Sequence, residues 1–203
     1  MAKEINKLGI VAVVVLGLAL LNLGVTFNKI SGLATDSGTA NLTIESTVNV
    51  NFTTDNIDWG SGVVVTGQTF AVLDTKTGSV KNGNWTDNSA GLVLENIGNV
   101  NVSLDILAGK TNATFIGGTN PDYEWRFENS EAGSCLNSSG GTYAVPNDTF
   151  YDVNTTSGGT RVCGIFGFLN SADQLTIHFN VTVPYNAPTG AKGDIITATA
   201  TAV

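Results

Sequence analysis

The chain has 203 residues, a formal net charge of −8 and only 13% charged residues, with 9 Lys plus Arg against 17 Asp plus Glu. Because binding to nucleic acid requires concentrated Lys and Arg, this balance argues against a nucleic-acid partner. Asn, Thr, Ser and Gly must supply most of the polar surface, which is typical of extracellular proteins. Composition predicts a hydrophobic N-terminal segment, 1–34, followed by a domain, 35–203, that is large enough to bury its own core.

The N-terminal segment contains an apolar run from Leu8 to Phe27, preceded by Lys3 and Lys7 and followed by Lys29. About 20 such residues in a helix reach across the apolar core of a bilayer. We therefore expect one hydrophobic helix that contacts the membrane at least before any assembly. It is either an uncleaved signal anchor, a pilin helix, or a signal peptide that is removed after Ala34. All three place the rest of the chain at the cell surface or outside the cell.

A short polar leader ends at Gly9, an apolar helix starts at Ile10, and a region rich in alternating residues follows. This order resembles an archaeal type IV pilin precursor. The resemblance implies that the leader is removed between Gly9 and Ile10. It also implies that the helices of many identical subunits pack into the core of a filament, so that the chain is a homo-oligomer assembled through its N-terminal helix.

Apolar and polar residues alternate in three long stretches of the remaining chain, Asn41–Thr53, Val100–Leu107 and Leu175–Val183. Period-two alternation predicts strands with one buried face and one solvent face. The predicted inward-facing residues are Leu42, Ile44, Val48, Val50 and Phe52 in the first stretch, Val102, Leu104 and Ile106 in the second, and Leu175, Ile177, Phe179, Val181 and Val183 in the third. In the third stretch, Thr176, His178 and Asn180 are predicted to face solvent.

Shorter strands are predicted between turn-forming Gly, Asn, Asp and Pro residues. They are Gly62–Val65, Thr69–Leu73, Leu92–Glu95, Ala113–Ile116, Tyr123–Phe127, Arg161–Phe168 and Asp194–Ala202. Eight to ten such strands predict an all-β fold, an Ig-like or jelly-roll β-sandwich preceded by the one N-terminal hydrophobic helix. The last strand carries small residues on both faces. It either lies against the sandwich in the ordinary way or pairs with a neighbouring subunit.

Two passages, Leu94–Val102 and Val183–Gly190, resemble exported bacterial and archaeal sandwich domains. The first is similar to a corner that leads into a strand. The second, followed by Ile195–Thr201, is similar to a closing hairpin in which a Pro and Gly turn leads to the last strand. The resemblance implies architecture and carries no activity with it.

The two cysteines, Cys135 and Cys163, flank a loop rich in Gly, Ser and Asn. Neither belongs to a CxxC pair or lies near a His, so we expect a structural disulfide, with two buried free thiols as the alternative.

Nine asparagines occur in Asn-x-Ser/Thr motifs and are candidates for N-glycosylation. They are Asn41, Asn51, Asn84, Asn101, Asn112, Asn137, Asn147, Asn154 and Asn180. Asn41, Asn51, Asn101 and Asn180 fall on the predicted solvent side of strands that were assigned from apolar alternation alone. Glycans attached covalently at these positions would leave the core packed.

Residues with catalytic or metal-binding chemistry are sparse. His178 is the only histidine, and zinc or triad sites of the usual kinds need further partners. Three acidic pairs lack the spacing of a calcium loop: Asp55 with Asp58, Asp122 with Glu124, and Asp148 with Asp152. We therefore predict no catalytic residue, no metal site and no cofactor, and a protein that is not an enzyme.

The three tryptophans, Trp59, Trp85 and Trp125, allow two interpretations. They either form an aromatic platform for a sugar or fill the ends of the sandwich. Taken together, the sequence favours a structural cell-surface protein, a self-assembling extracellular filament subunit with a glycosylated β-sandwich head. The alternative is a membrane-tethered monomer that acts in adhesion or in carbohydrate binding.

Overall fold

The computed structural model describes residues 9–20, 39–136 and 149–203. Contacts within the chain divide it into two units, Met1–Ile44 and Glu45–Val203. In the first unit, residues 9–20 form a helix, α1. Leu8 and residues 21–27 of the predicted apolar run lie outside the described residues. Within the described parts of the chain, no helix combines the length and the apolar character that crossing a membrane requires.

The second unit is mostly β-structure, and its described residues form eleven strands and one short helix. They are β1 (Val50–Thr54), β2 (Phe70–Asp74), β3 (Ser79–Lys81), β4 (Leu92–Asn96), β5 (Val102–Ala108), α2 (Asn112–Phe115), β6 (Asp122–Asn129), β7 (Cys135–Leu136), β8 (Tyr151–Asp152), β9 (Thr160–Phe166), β10 (Gln174–Pro184) and β11 (Ile196–Ala202).

The strands form two antiparallel sheets. In the larger sheet, β10 is central: along one side it pairs first with β4 and then with β2, and along its other side it pairs with β6. Strands β1, β3 and β8 extend this sheet beside β4, β2 and β6 respectively. The smaller sheet has the order β11-β5-β9-β7. This arrangement confirms the predicted all-β class.

The core lies between the two sheets, where alternate residues of the long strands meet. Trp125, Phe127 and Phe166 are its largest fully buried side chains. Burying an aliphatic or aromatic side chain of this kind contributes roughly 1.5–3 kcal/mol. The predicted inward faces of β5 and β10 are confirmed for residues Val102, Leu104, Ile106, Leu175, Ile177, Phe179 and Val181.

The prediction of a strand over 41–53 is wrong for the residues that precede Val50. Residues 39–49 lie outside any strand, and Leu42 and Ile44 are 85% and 80% exposed instead of facing the core. The physical reason is that, among the described residues, no strand pairs with this segment. The ladder between β1 and β4 ends at the pair Val50 and Asn96, and an extended segment forms a strand only where a neighbour supplies hydrogen bonds.

The predicted strand Ala113–Ile116 is also wrong, because Asn112–Phe115 is helical. Thr111 caps this helix: its side chain accepts a hydrogen bond from the backbone of Thr114, and the Thr114 side chain accepts one from the backbone of Thr111. Such a capping box stabilises the first turn of a helix. Of the predicted strand Gly62–Val65, only Val64 makes a bridge, with Gly83.

Candidate functional site

The surface of helix α1 is apolar on all sides. Residues 9–20 are all classed as exposed, and the large side chains among them, such as Ile10, Val13 and Leu16, are between 54% and 71% exposed. Gly9 and Ile10, the predicted processing site, are the first two residues of the described helix. A helix that is apolar all round is normally buried in a protein core or in a membrane. This surface is therefore a candidate for assembly.

The disulfide between Cys135 and Cys163 is confirmed. It joins β7 to β9 within the smaller sheet, with 5.3 Å between the two Cα atoms. The side chain of Asn129, from β6 of the larger sheet, accepts a hydrogen bond from the backbone N–H of Cys135 over 3.0 Å. Because this asparagine comes from the opposite sheet, the edge at β7 is tied to both layers.

The glycosylation candidates differ in exposure. Asn41, Asn51, Asn84 and Asn101 are exposed, whereas Asn112, Asn154 and Asn180 are partly buried. The amide nitrogens of Asn112 and Asn154 already donate hydrogen bonds, to the carbonyl of Pro121 and the hydroxyl of Thr160. Asn137 and Asn147 lie outside the described residues. Glycosylation stays a prediction, and the four exposed side chains are its best positions.

His178 was predicted to face solvent and is instead 8% exposed. It lies on the outer face of β10, where its ring nitrogens are 3.4 Å from the Thr75 hydroxyl and 3.4 Å from a carboxylate oxygen of Glu128. Glu128 also pairs with Lys76. Burial, followed by the charge of Lys76, lowers the pKa of His178. The prediction was wrong because a central strand is flanked on both sides, so its outer face is covered by neighbouring long side chains.

Three carboxylates meet where β6 pairs with β8. Oxygens of Asp122, Glu124 and Asp152 lie within 4.8 Å of one another. Burial and the two neighbouring carboxylates raise the pKa of Glu124, because like charges disfavour ionisation. The sequence paired Asp122 with Glu124 but placed Asp152 with Asp148, which lies outside the described residues. A divalent cation prefers such oxygen ligands, yet acidic clusters of this kind also occur without one.

A cleft of about 1120 Å³ is lined by residues from both sheets and from the loops beside them. Its apolar wall includes Phe52 of β1, Leu92 of β4, Val181 of β10 and Ile196 of β11. The loops 55–64 and 185–195 form its rim. Leu92 and Val181 belong to the buried core, so the cleft borders the core of the sandwich.

The tryptophans are divided between core and cleft. Trp125 is fully buried, so it cannot take part in a surface platform. Trp59 and Trp85 are partly buried and line the cleft. The Trp85 ring lies against the backbones of Gly62 and Gly83, where a Cβ atom would come within 2.4 Å and 2.7 Å of the ring. Only glycine fits at these two positions beside the ring. Trp85 therefore packs as a space-filling residue, which is one of the two interpretations that the sequence allows.

The segment from 39 to 49, which we call the arm, has an exposed apolar stripe. The stripe consists of Leu42, Ile44 and Val48. The arm joins the sandwich through Asn99: its side chain accepts a hydrogen bond from the backbone N–H of Thr47 over 2.6 Å and donates one to the carbonyl of Glu45 over 2.8 Å. The alternation in the sequence therefore marks an extended segment whose apolar side is uncovered.

Comparison with known proteins identifies no relative: no family model matches the chain, and no curated protein or solved structure matches it either. The function of the chain is therefore inferred from its described surfaces. Among these surfaces, sequence reasoning found the helix, the disulfide and the exposed asparagines, but missed the cleft. No sequence signal could have found the cleft, because it is lined by residues far apart in the chain and has no local pattern of its own.

Proposed function

We propose that this chain is an exported structural subunit of the cell surface that associates with copies of itself through helix α1 and displays the β-sandwich outward. The observation that carries the proposal is the helix, whose apolar side chains are exposed on every side. In water this surface is unfavourable, at about 25 cal/mol for each Å² of apolar area. Packing against the same helix of neighbouring subunits removes it from water.

Two further features support an extracellular location. The disulfide between Cys135 and Cys163 is stable in an oxidising compartment and rare in the cytosol. The exposed sequon asparagines, such as Asn51 and Asn101, leave room for attached glycans on the outside of the sandwich. Both features fit an exported subunit whose surface is polar and largely uncharged.

The test is electron microscopy of material sheared from cells, combined with mass spectrometry of the mature N-terminus. We expect filaments whose subunits begin at Ile10. The variant Val14→Lys places a charge on the apolar helix, and because burying an unpaired charge is costly, it should reduce the sheared filament fraction by about tenfold or more. Thr66→Lys adds the same charge on an exposed loop of the sandwich and serves as the matched control.

A tethered monomer that acts in adhesion or carbohydrate binding is the competing function. It predicts detergent-extracted monomers with Met1 intact and no filaments in the sheared fraction. That result, or filament yields that are equal for Val14→Lys and Thr66→Lys, contradicts the proposal.

A further inference from the structure

Two acidic side chains connect neighbouring loops of the sandwich. Glu131 lies in the loop 130–134 between β6 and β7, and Asp173 lies in the turn 167–173 between β9 and β10. We propose that Asp173 and Glu131 share one proton and form a pH-sensitive clasp. The clasp holds the loop 130–134 against β10 while the proton is bound and releases the loop when the proton is lost to water. It is separate from helix α1 and does not depend on the proposed function.

The contact between the two loops brings the carboxyl groups together. The backbone N–H of Asp173 donates a hydrogen bond to a carboxylate oxygen of Glu131 over 2.9 Å. The two side-chain carboxyl groups also lie within hydrogen-bonding reach of each other. Because an ionised carboxylate can only accept hydrogen bonds, a hydrogen bond between these two groups requires a proton on one of them.

The surroundings of Asp173 disfavour a negative charge. This residue is 4% exposed, and its Oδ1 atom is buried without a hydrogen-bond partner among the described residues. The charged groups that act on it are Glu131 from the loop 130–134 and Glu95 from β4, and both are acidic. Burial, followed by the hydrogen bond with Glu131 and the charges of the two glutamates, raises the pKa of Asp173. Asp173 is therefore the member of the pair that holds the proton.

The hydrogen bonds beside the clasp show which part of the chain its release loosens. The Ser130 N–H donates to the carbonyl of Gln174 over 3.2 Å, and the Ser134 N–H donates to the carbonyl of Glu131 over 3.2 Å. Two ionised carboxylates at this contact repel each other. Loss of the proton therefore separates the loop from β10 and weakens both bonds. The change ends at Cys135, because the disulfide holds this residue to β9.

The direction of the pH effect follows from the raised pKa of Asp173. When the loop opens, the carboxyl group returns to water and to its ordinary pKa of about 3.9. Between that value and the raised pKa, the closed form binds more protons than the open form, so its stability falls as the pH rises. The contribution of the clasp is complete below about pH 3.9 and is lost above the raised pKa. Because one proton is involved, the opening equilibrium changes by at most about tenfold for each pH unit.

The experiment measures amide hydrogen exchange by NMR on the full chain in detergent micelles, between about pH 4 and about pH 7. Each rate is corrected for the intrinsic pH dependence of amide exchange. In the wild type, we expect the protection of the Ser130 and Ser134 amides to fall by about threefold or more as the pH rises. The amide of Cys135 should keep its protection.

Two variants remove the titration without opening the clasp. In Asp173→Asn, the side-chain amide donates to Glu131 at every pH, so the profile of the loop amides should become flat at the protected level. Glu131→Gln should have the same effect, because its amide donates to Asp173. The carboxyl carbon resonance of Asp173 then gives its pKa directly. We expect this pKa to lie above about 3.9 in the wild type and to decrease in Glu131→Gln.

Glu124→Gln is the matched control. It removes another carboxyl group whose pKa is raised, at the place where β6 pairs with β8. The loop 130–134 should keep its wild-type pH profile in this variant.

Three results overturn the inference: a flat profile in the wild type, a wild-type profile in both Asp173→Asn and Glu131→Gln, or an Asp173 resonance that titrates at or below about 3.9. Loss of the pH dependence in Glu124→Gln also overturns it, because the titrating group would then lie outside the clasp.

Discussion

The two outer strands of the smaller sheet, β7 and β11, are held in very different ways. Strand β7 is joined covalently to β9 by the disulfide and is hydrogen-bonded to Asn129 of the opposite sheet. Among the described strands, β11 pairs only with β5, and its first residue, Ile196, lines the cleft. The difference indicates that the β7 edge is fixed by a covalent bond, whereas the outer edge of β11 is open among the described residues. Exposed edge strands are templates for pairing with another strand, so the two edges should differ in stability and in protection from solvent.

The largest expected effect compares a side chain on the closed side with one on the open side. Phe166 is fully buried on β9, and Phe166→Ala should reduce the free energy of unfolding by about 3–5 kcal/mol. Ile196 on β11 is partly exposed to the cleft, so Ile196→Ala should cost only about 1 kcal/mol in the unassociated protein. Urea unfolding at low protein concentration measures both. Equal losses would show that the open side is packed as firmly as the closed one.

Removing the disulfide tests the closed edge directly. The bond closes a loop with a sequence separation of 28, and the chain-entropy model gives a contribution of about 3–4 kcal/mol for a loop of this length. We expect Cys135→Ala/Cys163→Ala to reduce the free energy of unfolding by that amount. Hydrogen exchange should then increase more in β7 than in β11. A loss below about 1 kcal/mol, or no selective change in β7, is inconsistent with a covalently stabilised edge.

A smaller change in the free energy of unfolding is expected from pH, and it should affect β7 and β11 equally. Burial lowers the pKa of His178, and Lys76 and Arg126 add to this effect while Glu128 and Asp74 oppose it. Between the lowered folded pKa and the unfolded value of about 6.5, the unfolded chain binds more protons, so stability decreases as the pH falls. From pH 7.5 to 5.5 we expect the unfolding free energy to decline in the wild type and to decline less in His178→Gln.

The comparison with His178→Gln is needed because the pKa of Glu124 is raised. As the pH falls, this group adds to the free energy of unfolding, whereas His178 lowers it. Glu124 contributes equally to both proteins and cancels in the difference. Hydrogen exchange at the two pH values should show β7 and β11 responding together, since His178 lies on the other sheet. Identical pH profiles for the two proteins would contradict the assigned effect of burial on this histidine.

Much of the fold could be predicted from alternation alone, and the failures are instructive. The pattern of β10 correctly predicted that Leu175 and Phe179 face the core, because a half-buried strand requires an apolar side. It failed for His178, since exposure of the outer face depends on neighbouring strands. It failed again for Leu42, because no strand among the described residues pairs with its segment. The error at His178 concerns the order of strands in the sheet, and the error at Leu42 concerns strand pairing. Neither property is encoded in the residues nearby in the sequence.

The sequence by itself determined the class of the protein: an apolar N-terminal helix, a β-rich domain with polar uncharged surfaces, and a cysteine pair suited to an oxidising compartment. These properties follow from composition and from period-two spacing, which act over a few residues. Only the tertiary structure decided which strand edges are paired, which residues of the two sheets and loops line the cleft, and that no described strand pairs with the arm. These features depend on contacts between residues far apart in the chain, where local patterns carry no information.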